Sequence, residues 1–276
     1  MINEKINLKN FYPNLNNDVY LTTYCQDNYD EFSKDAKRKC LIVVPGGGYA
    51  FTSDREAEPV ALRFAGYDIA CFVLKYTVAP NIKYPAPLEE VLASIAYIRS
   101  NADKYHINVN SISLLGFSAG GHLAISACCY YDDKDILNKL GLTKDETKIN
   151  GLLLGYPVVT ENGHKGTIDN ITEQNKTELL EKFSLENHIS SDFPRTFIFH
   201  TSEDNAVDVN NSLILASKLR QNKIPFEMHI YPYGWHGESL ADESVYYNIV
   251  TAEQLKQMEY NTSWAEHAIK FIKTYI

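Results

Sequence analysis

Six short runs of apolar, β-branched residues recur along the chain: CLIVVP (40–45), DIACFVL (68–74), SISLLG (111–116), GLLLGYP (151–157), RTFIFH (195–200) and FEMHIYP (226–232). They are continuous rather than alternating, so each strand they form needs apolar cover on both faces, the condition of a parallel sheet between layers of helices. Segments with helical spacing fall between several of them, at 56–64, 88–102, 119–130 and 208–221, with a last one at 262–275. That rhythm predicts a doubly wound α/β domain. Two earlier stretches, near Ile6–Leu8 and Val19–Tyr24, read as extra edge strands with an antiparallel start. The expected sheet therefore has about eight strands, mostly parallel, a size known among large α/β enzymes.

The 276 residues suit one such domain, and no internal repeat or low-complexity linker divides them. The expectation is a single domain over 1–276, with the long polar stretch 160–192 as a small cap-like insertion carrying one helical piece around Glu178–Phe183. Substrate specificity is expected to reside there. The formal net charge of −9, without a Lys/Arg block, argues against nucleic acid and anionic membrane as partners. The N-terminal stretch lacks the apolar core of a signal peptide, and no run approaches a membrane span, so a cytoplasmic location is expected. Five cysteines, an odd number without CxxC or CxxH spacing, read as reduced and mostly buried thiols; no metal and no cofactor is expected.

The stretch LLGFSAGGHLA (114–124) carries the chemistry. Gly116-Phe117-Ser118-Ala119-Gly120 is G-x-S-x-G with a strand before it and a helix after it, the setting in which a sharp turn exposes a serine hydroxyl at the carboxyl edge of a sheet. Gly and Ser are also ordinary turn residues, so the pentapeptide alone does not decide the matter. The helix N-terminus opening at the same point favours a developing negative charge.

A serine needs a base, and the base needs an orienting carboxylate. RTFIFHTSEDNAVD (195–208) offers Glu203, Asp204 and Asp208 directly after a strand. Asp204 is preferred because Asp208 fits the first turn of the following helix, where an acid has a structural reason to be. FEMHIYPYGWHGESL (226–240) then places His236 in a glycine-bounded loop after the final strand, whereas the other seven histidines lack that placement relative to Ser118. Gly46-Gly47-Gly48, after the first central strand, can bring free N–H groups to a substrate oxygen, so Gly47, Gly48 and Ala119 are the expected oxyanion hole. The glycine run matches neither G-x-G-x-x-G nor G-x-x-x-x-G-K-[ST], which speaks against a phosphate-binding loop.

Taken with PGGGY (45–49), LKYTVAP (74–80), YPAPLEEVLASIAYIRSNADKY (84–105), ISLLGFSAGGHLA (112–124), SLENHISSDFPRTFIFHTSED (184–204) and YPYGWHG (231–237), the chain resembles the esterase/lipase group of the α/β-hydrolase superfamily. Within that group it is similar to the small bacterial branch of acetyl-xylan-esterase-like or sugar-ester hydrolases. The resemblance covers most of the chain from residue 40 onward and is collinear. It implies the α/β-hydrolase fold, the triad Ser118, Asp204 and His236, and Gly47, Gly48 and Ala119 around the oxyanion. It also implies a short acyl group, acetyl foremost, on a sugar or other alcohol. Pro45 stands where many relatives carry a histidine, which shapes the loop but is not a triad member. Tyr49, Tyr76 and Trp235, with Tyr84 and Tyr233, are aromatic candidates for stacking on a sugar ring, packing being the equal alternative. The expected partner is a small-molecule ester such as an acetylated sugar, with a homodimer left open. The same triad could cleave an amide, as in arylformamidases, or a peptide bond, and a non-catalytic ligand-binding member of the fold remains an alternative.

Overall fold

A computed structural model gives the fold, described over residues 1–172, 176–246 and 250–276. The strands are β1 (Lys5–Asn7), β2 (Tyr20–Tyr24), β3 (Arg38–Val44), β4 (Ile69–Lys75), β5 (Ile107–Phe117), β6 (Gly151–Gly155), β7 (Arg195–Thr201) and β8 (Phe226–Tyr231). They form one eight-stranded sheet in the order β1-β2-β4-β3-β5-β6-β7-β8. β1 and β2 pair antiparallel at one edge, and every pairing from β4 to β8 is parallel.

The helices follow in chain order: α1 (Glu58–Ala65), α2 (Ala86–Ser100), α3 (Ser118–Tyr130), α4 (Lys134–Leu140), α5 (Lys144–Thr147), α6 (Lys165–Thr172), α7 (Lys176–Phe183), α8 (Asn210–Gln221), α9 (Glu243–Tyr246), α10 (Ala252–Met258) and α11 (Ser263–Tyr275). The stretch 160–192 folds as α6, α7 and a short 3-10 turn; its residues 173–175 lie outside the described residues. Among the described residues no helix is long and apolar enough to cross a membrane.

Because side chains alternate across a strand, each continuous apolar run serves two cores at once. Ile42, Val44, Ile112, Leu114, Leu152 and Leu154 pack on one face with residues of α2, α3 and α8. Leu41, Val43, Leu115, Phe117, Leu153, Phe197 and Phe199 pack on the other with α1 and α11. There the Trp264 ring stacks on Phe199 with centroids 4.2 Å apart, and its indole N–H donates to the Ser239 carbonyl.

β3 has β4 on one side and β5 on the other, so the winding direction reverses between β3 and β5. A crevice at the carboxyl ends of the strands opens at such a reversal. Gly46–Gly48 follow β3 and Ser118 follows β5, which puts both at that point.

Candidate active site

Ser118 is the first residue of α3 and has φ of +52°, a left-handed backbone that costs a non-glycine residue about 1–2 kcal/mol. The glycine at 120 makes the turn feasible: a Cβ there would lie 2.1 Å from the Val44 carbonyl oxygen and 2.4 Å from that of Pro45. With only hydrogen at this position, α3 passes directly over the end of β3. Residues with left-handed φ recur in the loops after the strands: Gly47, Gly48 and Tyr49 after β3, Tyr156 after β6, and Gly237 and Ser239 after β8; Gly47, Gly48 and Gly237 line one cleft with Ser118.

The structure brings Ser118, His236 and Asp204 into one chain. Ser118 Oγ lies 2.8 Å from His236 Nε2, and His236 Nδ1 lies 2.7 Å from Asp204 Oδ2. Asp204 Oδ1 accepts the backbone N–H groups of Ala206 and Val207, both at 2.9 Å. His200, buried behind the carboxylate, has Nε2 3.3 Å from Asp204 Oδ2 and 2.9 Å from the Val207 carbonyl oxygen. Burial by itself would raise the Asp204 carboxyl. Hydrogen bonds from His200, His236 and Val207 outweigh it and hold the group well below the usual aspartate range. An ionised carboxylate fixed in this way holds the His236 tautomer with Nε2 free to accept a proton from Ser118.

The rival acids lie elsewhere. Asp208 Oδ1 accepts the Asn210 N–H at the start of α8, and Glu203 faces a separate cleft.

Gly47 and Gly48 line the same cleft as Ser118 and His236, a cavity of about 580 Å³. Among the described residues neither glycine N–H has an acceptor, and the Ala119 N–H belongs to the first turn of α3, where such groups lack intrahelical partners. Side chains around it hold the glycine loop. Tyr49, buried beneath it, has its hydroxyl 3.0 Å from His122 Nδ1, and the Asn170 side-chain amide of α6 donates to the Gly48 carbonyl at 2.8 Å.

The aromatic expectations are corrected by these contacts. Tyr49 and Tyr76 do not line the cleft; both are buried, and the Tyr76 hydroxyl donates to the Pro45 carbonyl at 2.8 Å. The loop and its scaffold need the rings as packing, which leaves neither for stacking on a ligand. Trp235 edges against Tyr246 and lines a neighbouring cleft with Glu203, Tyr233 and Met258, not the one that holds Ser118.

Sequence reasoning missed a second network behind the triad. Glu56 is buried; its Oε2 accepts the Gly46 N–H at 2.8 Å and its Oε1 accepts the Tyr156 hydroxyl at 2.7 Å. The Tyr156 hydroxyl in turn accepts the Ser239 N–H at 2.9 Å, and the ring stands edge-on to His236 with centroids 5.0 Å apart. Burial pushes the Glu56 carboxyl up, against the Tyr156 and Gly46 hydrogen bonds that favour its charge. The network ties the glycine loop to the loop of His236. Position was the available signal: Glu56 closely follows the glycine loop, and Tyr156 follows the strand between those of Ser118 and Asp204.

Among the described residues, a possible metal-ligating group lies only on β8 and α11, where Glu227, His229 and His267 place one ligand atom each within 4.8 Å of one another. The two imidazoles stack nearly parallel at 4.3 Å, so their in-plane lone pairs do not converge on a common point. Glu227 Oε1 is already 2.8 Å from His229 Nε2.

Comparison with known proteins gives the family and the fold. The sequence profile of the BD-FAE family matches residues 27–219, which include the glycine loop, Ser118 and Asp204. The chain belongs to the BD-FAE family. This BD-FAE member is 36% identical over 219 residues to endo-1,4-beta-xylanase B of Butyrivibrio fibrisolvens; the match takes in 77% of the chain but spans only 34% of the length of that relative. Its fold is similar to the acetyl ester-xyloside bifunctional hydrolase of Caldicellulosiruptor lactoaceticus (TM-score 0.80, 31% identity, 98% of this chain and 96% of the other). It is also similar to the α/β hydrolase MGS-M1 from a Medee basin deep-sea metagenome (0.76, 29%, 100% and 98%). The fold alone is shared with the carboxylesterase Cest-2923 of Lactobacillus plantarum WCFS1 (0.86, 22%, 99% and 97%). The BD-FAE chain thus has the α/β-hydrolase fold.

Proposed function

We propose that this protein is a serine carboxylesterase that releases a short acyl group, acetyl foremost, from an acylated sugar or other alcohol. The observation that carries the reading is the hydrogen-bonded chain Ser118–His236–Asp204, whose Ser118 and His236 line one cleft with Gly47 and Gly48. His236 Nε2 takes the Ser118 proton as Oγ attacks the ester carbonyl carbon, and the charge on the carbonyl oxygen is met by the N–H groups of Gly47, Gly48 and Ala119. Asp204 stabilises the imidazolium that forms. His236 then returns the proton to the departing alcohol oxygen, leaving an acyl-enzyme on Ser118. Water, activated by the same histidine, releases the carboxylic acid. The acetyl and xyloside chemistry named for the Caldicellulosiruptor hydrolase supports the substrate class. The segment 160–192 acts as a cap in this reading, since Thr167 and Asn170 of α6 line the cleft.

Hydrolysis of 4-nitrophenyl acetate and longer acyl homologues tests it. The wild type is expected to prefer acetate, and Ser118→Ala to lose at least about 10⁴-fold in kcat. A wild type inert on every ester but active on an acyl amide overturns the esterase reading in favour of an amide hydrolase.

A further inference from the structure

The cleft contains a second histidine that the triad does not use. His164 opens the segment that leads into α6 and lines the cavity together with Ser118 and His236. Its Nδ1 lies 3.1 Å from the Thr167 backbone nitrogen and 2.8 Å from Thr167 Oγ1. A backbone N–H can only donate, so Nδ1 is an acceptor and the neutral ring carries its proton on Nε2. The Nε2–H has no acceptor among the described residues, and it is not a closed-off group, because the side chain is only half-buried. Burial and the nearby His236 lower the His164 pKa, which favours this neutral form. One ring edge is thus pinned to the backbone, leaving the other as a fixed, uncharged donor.

The ring that carries this donor lines the cleft in which the alcohol must depart. The departing alcohol oxygen must lie against His236 Nε2 to receive its proton, and His164 and His236 line the same cavity. A phenyl or alkyl alcohol offers no further acceptor there; an alcohol with a neighbouring hydroxyl or ring oxygen does. We infer that His164 is a specificity-determining residue whose Nε2–H donates to a non-reacting oxygen of the alcohol moiety, selecting polyhydroxylated alcohols over simple ones. The inference rests on the esterase reading and sharpens its substrate class.

The experiment compares kcat and KM for an acetylated methyl xyloside and for phenyl acetate in the wild type, His164→Phe and His164→Gln. His164→Phe is expected to lower kcat/KM for the xyloside about tenfold, the size of one lost hydrogen bond, mainly through KM, with phenyl acetate changed less than about twofold. His164→Gln, which restores an N–H donor, recovers part of the loss. Equal losses on both esters, or no loss on the xyloside, overturn the inference while leaving the esterase intact. A wild type that hydrolyses neither ester overturns the esterase reading itself, and the inference with it.

Discussion

At the scale of single residues the site depends on groups whose partners leave them one role each. Tyr156 is the clearest case, because its hydroxyl donates to Glu56 and accepts from Ser239 N–H while its ring touches His236. Tyr156→Phe keeps the ring and removes only the oxygen, leaving a buried carboxylate oxygen and a buried N–H without partners. Such a loss costs about 1–3 kcal/mol, and more where a charged group is involved. Urea denaturation is expected to show a destabilisation of that order. A change below about 0.5 kcal/mol, with esterase activity intact, would mean that the network does not hold the two loops. Asp204 was legible in the sequence as the preferred acid because Asp208 had a helix to begin, and Asp208 does bond to the start of α8. Glu56 was not legible. Nothing in its local pattern separates an acid at the start of a helix from one buried under a glycine loop, and only the sheet order, which sets β3 and β6 on either side of β5, brings its partners together.

At the scale of elements, strands were easier to read than helices. All six continuous apolar runs became strands, and both edge segments paired antiparallel. A strand buried on both faces needs unbroken apolar sequence, which is a loud signal. The short helices α5 and α10 were missed because each is set by its capping residues and buries a single residue; Thr143 with Glu146 and Thr251 with Gln254 form capping boxes there. The turn from β5 into α3 was read correctly in kind, but its tightness is a tertiary fact. The Gly120 position meets the carbonyls of Val44 and Pro45, residues more than seventy positions away along the chain. Gly120→Ala therefore adds a methyl where two backbone oxygens stand. Since backbone cannot rotate aside as a side chain can, the helix must shift off β3. A loss of about 2–3 kcal/mol in chemical denaturation is expected, together with a fall in activity as Ser118 moves from the glycine loop. A variant as stable and active as the wild type would show that α3 has slack at this crossing.

At the scale of the whole molecule, stability depends on pH through groups that folding removes from water. His122 lies in α3, fully buried, with Nδ1 against the Tyr49 hydroxyl, and burial lowers its pKa from 6.5 to about 4. Between those values the unfolded chain binds a proton at this histidine and the folded chain does not. Acid then favours unfolding, so this contribution is fully present above pH 6.5 and is lost as the pH falls toward 4. At about 1.4 kcal/mol per pH unit the full loss is about 3 kcal/mol. Glu90 and Glu238 carry the opposite sign: burial raises them to about 7 and about 8, so the folded state keeps protons that the unfolded state releases as the pH climbs from 4.5. The raw stability profile mixes these terms, but the difference between two proteins isolates one. The stability of the wild type minus that of His122→Asn, measured by denaturant unfolding, is expected to fall by about 3 kcal/mol from pH 6.5 to pH 4 and to stay flat from pH 6.5 to 8. A difference constant over the whole range would mean that His122 takes up a proton in the folded state, and that the packing of Tyr49 and Phe183 around it admits a charged ring.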